Sequence, residues 1–105
     1  MVSQSLPRYS IKLHKEVLTV DSKKFDEKTK NKIKTKCLEL LSYHPDKVGE
    51  PLRGSHHGYR KLKIYSDYRV VYRVDKQEVI VFVLAVGIRR DFEVYETALK
   101  RLSKL

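Results

Sequence analysis

Eight consecutive apolar residues run from Val79 to Val86, and they constrain the fold more than any other feature. A run with no polar interruption needs cover on both sides, the mark of a strand at the centre of a sheet. It is far too short to cross a membrane, which takes about 20 residues. Two segments before it alternate with the period of a strand. From Tyr59 to Tyr65, Leu62 and Ile64 alternate with Lys61 and Lys63. After a turn at Ser66–Asp67, Tyr68, Val70, Tyr72 and Val74 alternate with Arg69, Val71 and Arg73. The polar stretch Asp75–Lys76–Gln77–Glu78 then reads as a hairpin turn into the apolar run, and Gly87 is expected to break that strand. The second half of the chain is therefore a three-strand antiparallel meander.

The first half changes period. Tyr9, Ile11 and Leu13 alternate with Ser10 and Lys12, giving a half-buried strand. Val17, Leu18 and Val20 indicate a short helix. Asp26 has the chemistry of a helix N-cap. After it Thr29, Ile33, Cys37, Leu40 and Leu41 recur at helical spacing to about Ser42, with five lysines (Lys28, Lys30, Lys32, Lys34, Lys36) on the rest of the surface. Val94, Ala98, Leu99 and Leu102 form a last helix. Its acids, Asp91, Glu93 and Glu96, lie early and its bases, Lys100, Arg101 and Lys104, lie late, as the helix dipole favours. The order β-α-α-β-β-β-α predicts a small α+β fold: an antiparallel sheet with helices packed on one face. The 105 residues have no internal repeat and no linker, so residues 1–105 are expected to form a single domain.

Lys plus Arg number 23 against 13 Asp plus Glu, a net charge of +10. A small domain this basic meets a polyanion or an acidic partner. Ten of the fifteen lysines lie in residues 1–57, whereas six of the eight arginines lie in residues 58–105. Lysine on a helix face keeps a protein soluble. Arginine in a strand is held rigidly and can grip a phosphate with two parallel hydrogen bonds. Lys61, Lys63, Arg69 and Arg73 would share one sheet face, as a phosphate cradle or as a solvated face whose lysines discourage edge-to-edge association. Tyr68 and Tyr72 are expected to face the core with the hydroxyl at its edge. Tyr95 is one turn beyond Arg89–Arg90 and is free by that spacing to join the basic surface.

Other chemistry is thin. His56–His57 sits in a loop with Gly54, Ser55 and Gly58, without Cys, Asp or Glu at ligand spacing, so no metal site is expected. His14 and His44 read as structural. Cys37, the single cysteine, lies on an apolar stripe and reads as a buried, inert thiol. Glycine-rich phosphate loops, Ser/His/Asp ordering and paired carboxylates are all missing. No charged head precedes an apolar stretch at the N-terminus, so no secretory leader is expected, and the composition suits a reducing cytoplasm.

Several stretches together resemble the RelE/ParE toxins of toxin–antitoxin pairs. They are Pro51–Leu52–Arg53–Gly54, Tyr59–Arg60–Lys61–Leu62–Lys63–Ile64, Asp67–Tyr68–Arg69–Val70–Val71–Tyr72–Arg73–Val74, Val79–Ile80–Val81–Phe82–Val83, Val86–Gly87, Arg89 and Val94–Tyr95. The order and spacing are closer to the RelE branch. That resemblance implies the toxin of a type II pair: a ribosome-dependent, metal-independent endoribonuclease that cuts messenger RNA in the ribosomal A site by 2′-OH attack. It implies no cofactor. Its catalytic set maps onto Lys61, Lys63, Arg69, Arg89 and Tyr95, with Arg60, Arg73 and Arg90 as further RNA-binding bases. An ungapped match would select Arg60 and Leu62 instead. Lys61 and Lys63 are preferred because Leu62 and Ile64 then face the core.

The roles that follow are expectations. Lys61 and Arg69 neutralise the non-bridging phosphate oxygens. Lys63, crowded by like charges that favour a neutral amine, is the general base. Arg89 is the nearest proton donor or stabiliser of the leaving group, and Tyr95 orients or stacks the scissile nucleotide. The implied partners are the ribosome, messenger RNA and a RelB-like antitoxin with an acidic segment. Two rivals remain: a ParE-like inhibitor of DNA gyrase without chemistry, and a non-catalytic basic module that binds RNA or antitoxin.

Overall fold

The computed structural model describes residues 8–52, 58–88 and 91–102. Five strands and three helices follow one another as β1 (Ser10–Leu13), α1 (Lys15–Thr19), α2 (Glu27–Leu41), β2 (Glu50–Pro51), β3 (Tyr59–Ile64), β4 (Tyr68–Asp75), β5 (Ile80–Ile88) and α3 (Asp91–Leu102), with a 3-10 turn at Asp21–Lys24 after α1. The sheet order is β1-β5-β4-β3-β2. The α+β class and the three-strand meander stand as expected.

Helix α2 begins where the Asp26 carboxylate accepts the Thr29 amide at 2.8 Å, satisfying one of the donors that a helix start leaves open. Its stripe of Ile33, Cys37 and Leu41 is buried against Leu62 and Ile64 of β3, Val70 and Tyr72 of β4, and Val81 and Val83 of β5. The one proton of the Tyr72 phenol is shared between the carbonyls of Pro45 at 2.7 Å and Val48 at 2.9 Å. Gly49 follows at φ +68°, and a Cβ there would lie 2.4 Å from the Lys61 carbonyl oxygen. Only glycine lets that loop run so close to β3. The β4–β5 hairpin turns on Asp75, whose carboxylate accepts the amides of Gln77 and Glu78.

The structure corrects four particulars. The sheet is mixed, because β1 pairs parallel to β5. A two-residue strand, β2, extends the other edge next to β3. Gly87 does not break β5 but lies inside it, opposite Arg69. A Cβ at Gly87 would lie 2.3 Å from Val94, so its lack of a side chain lets α3 settle on the sheet. Most consequentially, the helices do not share one face. Helix α3 lies on the opposite side from α2, where Val94 and Ala98 bury Leu52, Tyr59, Val71, Leu84 and Ala85. A break in the β4–β5 register after Val71 turns both Leu84 and Ala85 toward that second cluster.

Candidate functional site

Strand alternation divides the cations of β3 and β4 between the two faces. Leu62 and Ile64 point into the α2-side core, so Lys61 and Lys63 point to the α3 side. Lys63 stands directly across from Arg69 on β4, Lys61 across from Val71, and Tyr59 across from Arg73. Lys61, Lys63, Arg69 and Arg73 therefore share one face, but α3 covers part of it.

The helix also supplies an aromatic. The Lys61 ammonium lies 5.2 Å from the centre of the Tyr95 ring, a cation–π contact. The same ammonium is 3.8 Å from a carboxylate oxygen of Glu50, on the neighbouring β2. Lys63 is exposed. Lys61 and Tyr95 thus meet where β3 and α3 converge, with Lys63 and Arg69 next along the same face. Arg73 lies further along β4, its guanidinium 4.8 Å above the Phe82 ring.

Arg69 departs from the expected open cradle. It is only 6% exposed, and its guanidinium turns back to donate to the carbonyls of Ser66 at 2.8 Å and Tyr68 at 3.1 Å. That turn holds two successive non-glycine residues at positive φ, Tyr65 at 52° and Ser66 at 63°, a conformation that costs energy. Arg69 braces it. Arg60 is not brought to the site either. It projects to the α2 side and donates to the carbonyls of Val48 and Gly49. Arg89, Arg90, Arg53 and the His56–His57 pair lie outside the described residues.

Two arrangements escaped the sequence reading. Arg101 is no solvent-facing base at a helix end. It is 3% exposed and bonded to Asp21, itself 2% exposed. The signal was present: Val94, Ala98 and Arg101 fall on one helical stripe. Tyr65, carried by the strained turn, sits 5.8 Å from both the Lys32 and Lys36 ammoniums of α2, a contact between distant segments that no local pattern announces.

Burial pushes the Cys37 thiol up to about 12, as expected of an inert core cysteine. Burial also raises the Tyr72 phenol above its ordinary value, with Arg60 pulling the other way. Neither group is poised for acid–base work near neutral pH. Among the described residues, no helix is long and apolar enough to cross a membrane. What remains at the junction of β3, β4 and α3 is a set of fixed positive charges beside an aromatic ring, chemistry suited to a phosphate and its attached base.

Several known proteins are similar to this chain. Residues 9–91 match the family model of the ParE toxin of the type II toxin–antitoxin system parDE. The mRNA interferase toxin RelE of Escherichia coli K12 is 36% identical over 80 residues, which covers 76% of this chain and 83% of that protein. The structure of an E. coli RelE double arginine-to-alanine mutant in the free state superposes with a TM-score of 0.72 at 32% identity, covering 90% of this chain and 97% of that one. The same mutant bound to a peptide of the antitoxin RelB gives 0.63 at 30% identity, covering 87% and 94%. By the length and depth of these matches, and by the stretches that carried the first resemblance, the chain belongs to the RelE/ParE family of toxins of type II toxin–antitoxin systems.

Proposed function

We propose that this chain is a RelE-type mRNA interferase, cutting message held in the ribosomal A site without a metal or cofactor. The observation that carries the reading is the convergence of Lys61, Lys63 and Tyr95 on one sheet face, with Lys61 held against the Tyr95 ring. The relative at 36% identity bears the name mRNA interferase.

RNA carries its own nucleophile. When the 2′-OH attacks the adjacent phosphorus, charge builds on the non-bridging oxygens, and the 5′ oxygen leaves as it takes a proton. The products are a 2′,3′-cyclic phosphate and a 5′-hydroxyl. Lys61, held by Tyr95 and Glu50, neutralises the phosphate, and fixed charge of that kind needs no rearrangement during the reaction. Lys63, next to it on the same face, takes the 2′ proton. Tyr95 stacks the scissile base. Arg69 adds its charge from behind Lys63 while holding the β3–β4 turn. Arg89 stabilises the leaving oxygen, which takes its proton from water, and Arg73 and Arg90 guide the flanking strand. Arg60 is left out of the RNA-binding set because it faces the other side. The cluster lies on a face that α3 covers only in part, so alignment of the RNA must come from outside. A message clamped for decoding arrives already aligned.

An antitoxin with an acidic segment suits the net charge of +10. An apolar groove between β1, α1 and α2, lined by Leu13, Leu18 and Leu38 with Glu27, Lys30 and Lys34 among its polar residues, suits an amphipathic helix. The ParE description of the matching family favours a second reading, inhibition of DNA gyrase.

Primer extension in a reconstituted translation system separates the two. The wild type is expected to create new message ends at the A-site codon, and Lys61→Ala to slow their appearance. Intact message together with inhibited gyrase supercoiling contradicts the nuclease reading.

A further inference from the structure

Strand β1 ends at Leu13, paired with Val83, yet β5 continues to Ile88. Among the described residues, the β1-side edge of β5 has no neighbouring strand from Leu84 onward, and its backbone groups need other partners. Two side chains supply them. Asp21 accepts the Val86 amide at 2.9 Å, and Arg101 donates to the Leu84 carbonyl at 2.8 Å. The two residues then join each other, with the Arg101 guanidinium donating to both Asp21 carboxylate oxygens at 2.7 and 2.8 Å. Glu16 of α1 stands 3.7 Å from the Arg101 Nε. One buried pair thus ties α1, the 3-10 turn, the edge of β5 and the end of α3 together.

Its position matters for the site. Among its described side chains, helix α3 buries Val94 and Ala98 against the sheet, with Tyr95 packed against the same cluster and Arg101 on the same stripe. Apolar contacts carry no direction, whereas a bidentate ion pair fixes the rotation of a helix. Tyr95 projects from that helix beside the anchored stripe, six residues before Arg101 and about 9 Å along the axis. The rotation that Arg101 sets is therefore the rotation that aims the Tyr95 ring at Lys61. The anchored edge of β5 also lies immediately before Gly87 and Ile88, the last residues of the strand.

We propose that Asp21 and Arg101 are positioning residues for RNA cleavage: they touch no RNA, and act by fixing the rotation of α3 and so the place of Tyr95. The inference rests on the nuclease reading above, and the experiment keeps the two apart. Single-turnover cleavage on message-programmed ribosomes is measured for the wild type, Asp21→Asn/Arg101→Met, Arg101→Lys, Tyr95→Ala and each combined with Tyr95→Ala. The double neutral variant leaves no buried charge unpaired. Arg101→Lys keeps the charge and loses the fork, and it decides the matter if the double variant does not fold by circular dichroism.

In the double variant kcat is expected to fall about 10-fold, and in Arg101→Lys about 3-fold, with KM within about 2-fold in both. In the Tyr95→Ala background neither change costs anything further, because the ring they aim is gone. Wild-type protein that leaves message intact removes the nuclease reading and the proposal with it. Wild-type protein that cleaves, with kcat unchanged in the variants or with losses that multiply through the Tyr95→Ala background, overturns the proposal alone.

Discussion

The two faces of the sheet are built from the same strands and come out differently. On the α2 side, a fifteen-residue helix lays Ile33, Cys37 and Leu41 over Leu62, Ile64, Val70 and Tyr72. Its polar groups are consumed internally: Arg60 and the Tyr72 phenol bond to the Pro45–Gly49 loop. On the α3 side a shorter helix buries Val94 and Ala98 among its described side chains and leaves Lys63 exposed beside Lys61 and Tyr95. One face holds the fold together, and the other, thinly covered, leaves positive charge in reach of a ligand. Alternation along β3 lets a single strand serve both, because Leu62 between the two lysines and Ile64 after them are anchored in the core.

That contrast can be broken by mutation. The largest expected effect is Leu41→Ala, which removes a fully buried side chain from the α2-side core. It should cost about 2–5 kcal/mol in urea unfolding while leaving the cleavage rate of the folded fraction unchanged. Lys61→Ala should do the opposite. Cleavage on programmed ribosomes should slow about 100-fold, about 2.7 kcal/mol in the barrier, with the unfolding midpoint nearly unmoved. Tyr72→Phe deprives the Pro45 carbonyl of its donor and should lower stability by about 1–2 kcal/mol without touching cleavage.

The smallest effect belongs to Asp26→Ala. The Thr29 amide holds the Asp26 carboxyl below its ordinary pKa. A lowered folded-state value adds stability above the ordinary carboxylate range and loses it as pH falls through that range. The difference in thermal midpoint between parent and variant should therefore be present at pH 7 and shrink in acid.

Much of the architecture was legible in the sequence because its cause is local. The apolar run of β5, the alternation in β3 and β4, the Asp26 cap and the α2 stripe each follow from neighbours a few residues away. The same alternation correctly sent Lys61 and Lys63 away from Leu62 and Ile64. The missed features depend on distant partners. Periodicity says which side of α3 is buried but not which face of the sheet buries it, so α3 was expected beside α2. The parallel pairing of β1 with β5 joins segments 70 residues apart, Ser10 opposite Ile80. Gly87 looked like a strand end because glycine usually marks one, whereas here it makes room for Val94. Arg69 looked exposed because arginine usually is, whereas a strained turn draws its guanidinium inward. Arg101 was read by its charge instead of its place on the Val94–Ala98 stripe.

The account rests on the claim that the α3-side cations act on RNA and those of α2 do not. The most direct test compares two pairs of lysines. At saturating protein, single-turnover cleavage of A-site message is measured for Lys61→Ala/Lys63→Ala and for Lys30→Ala/Lys34→Ala. The first pair should lose at least about 100-fold and the second stay within about 3-fold of wild type. Equal losses in the two pairs would mean that positive charge anywhere on the surface suffices, and would contradict a cleavage site at the junction of β3, β4 and α3.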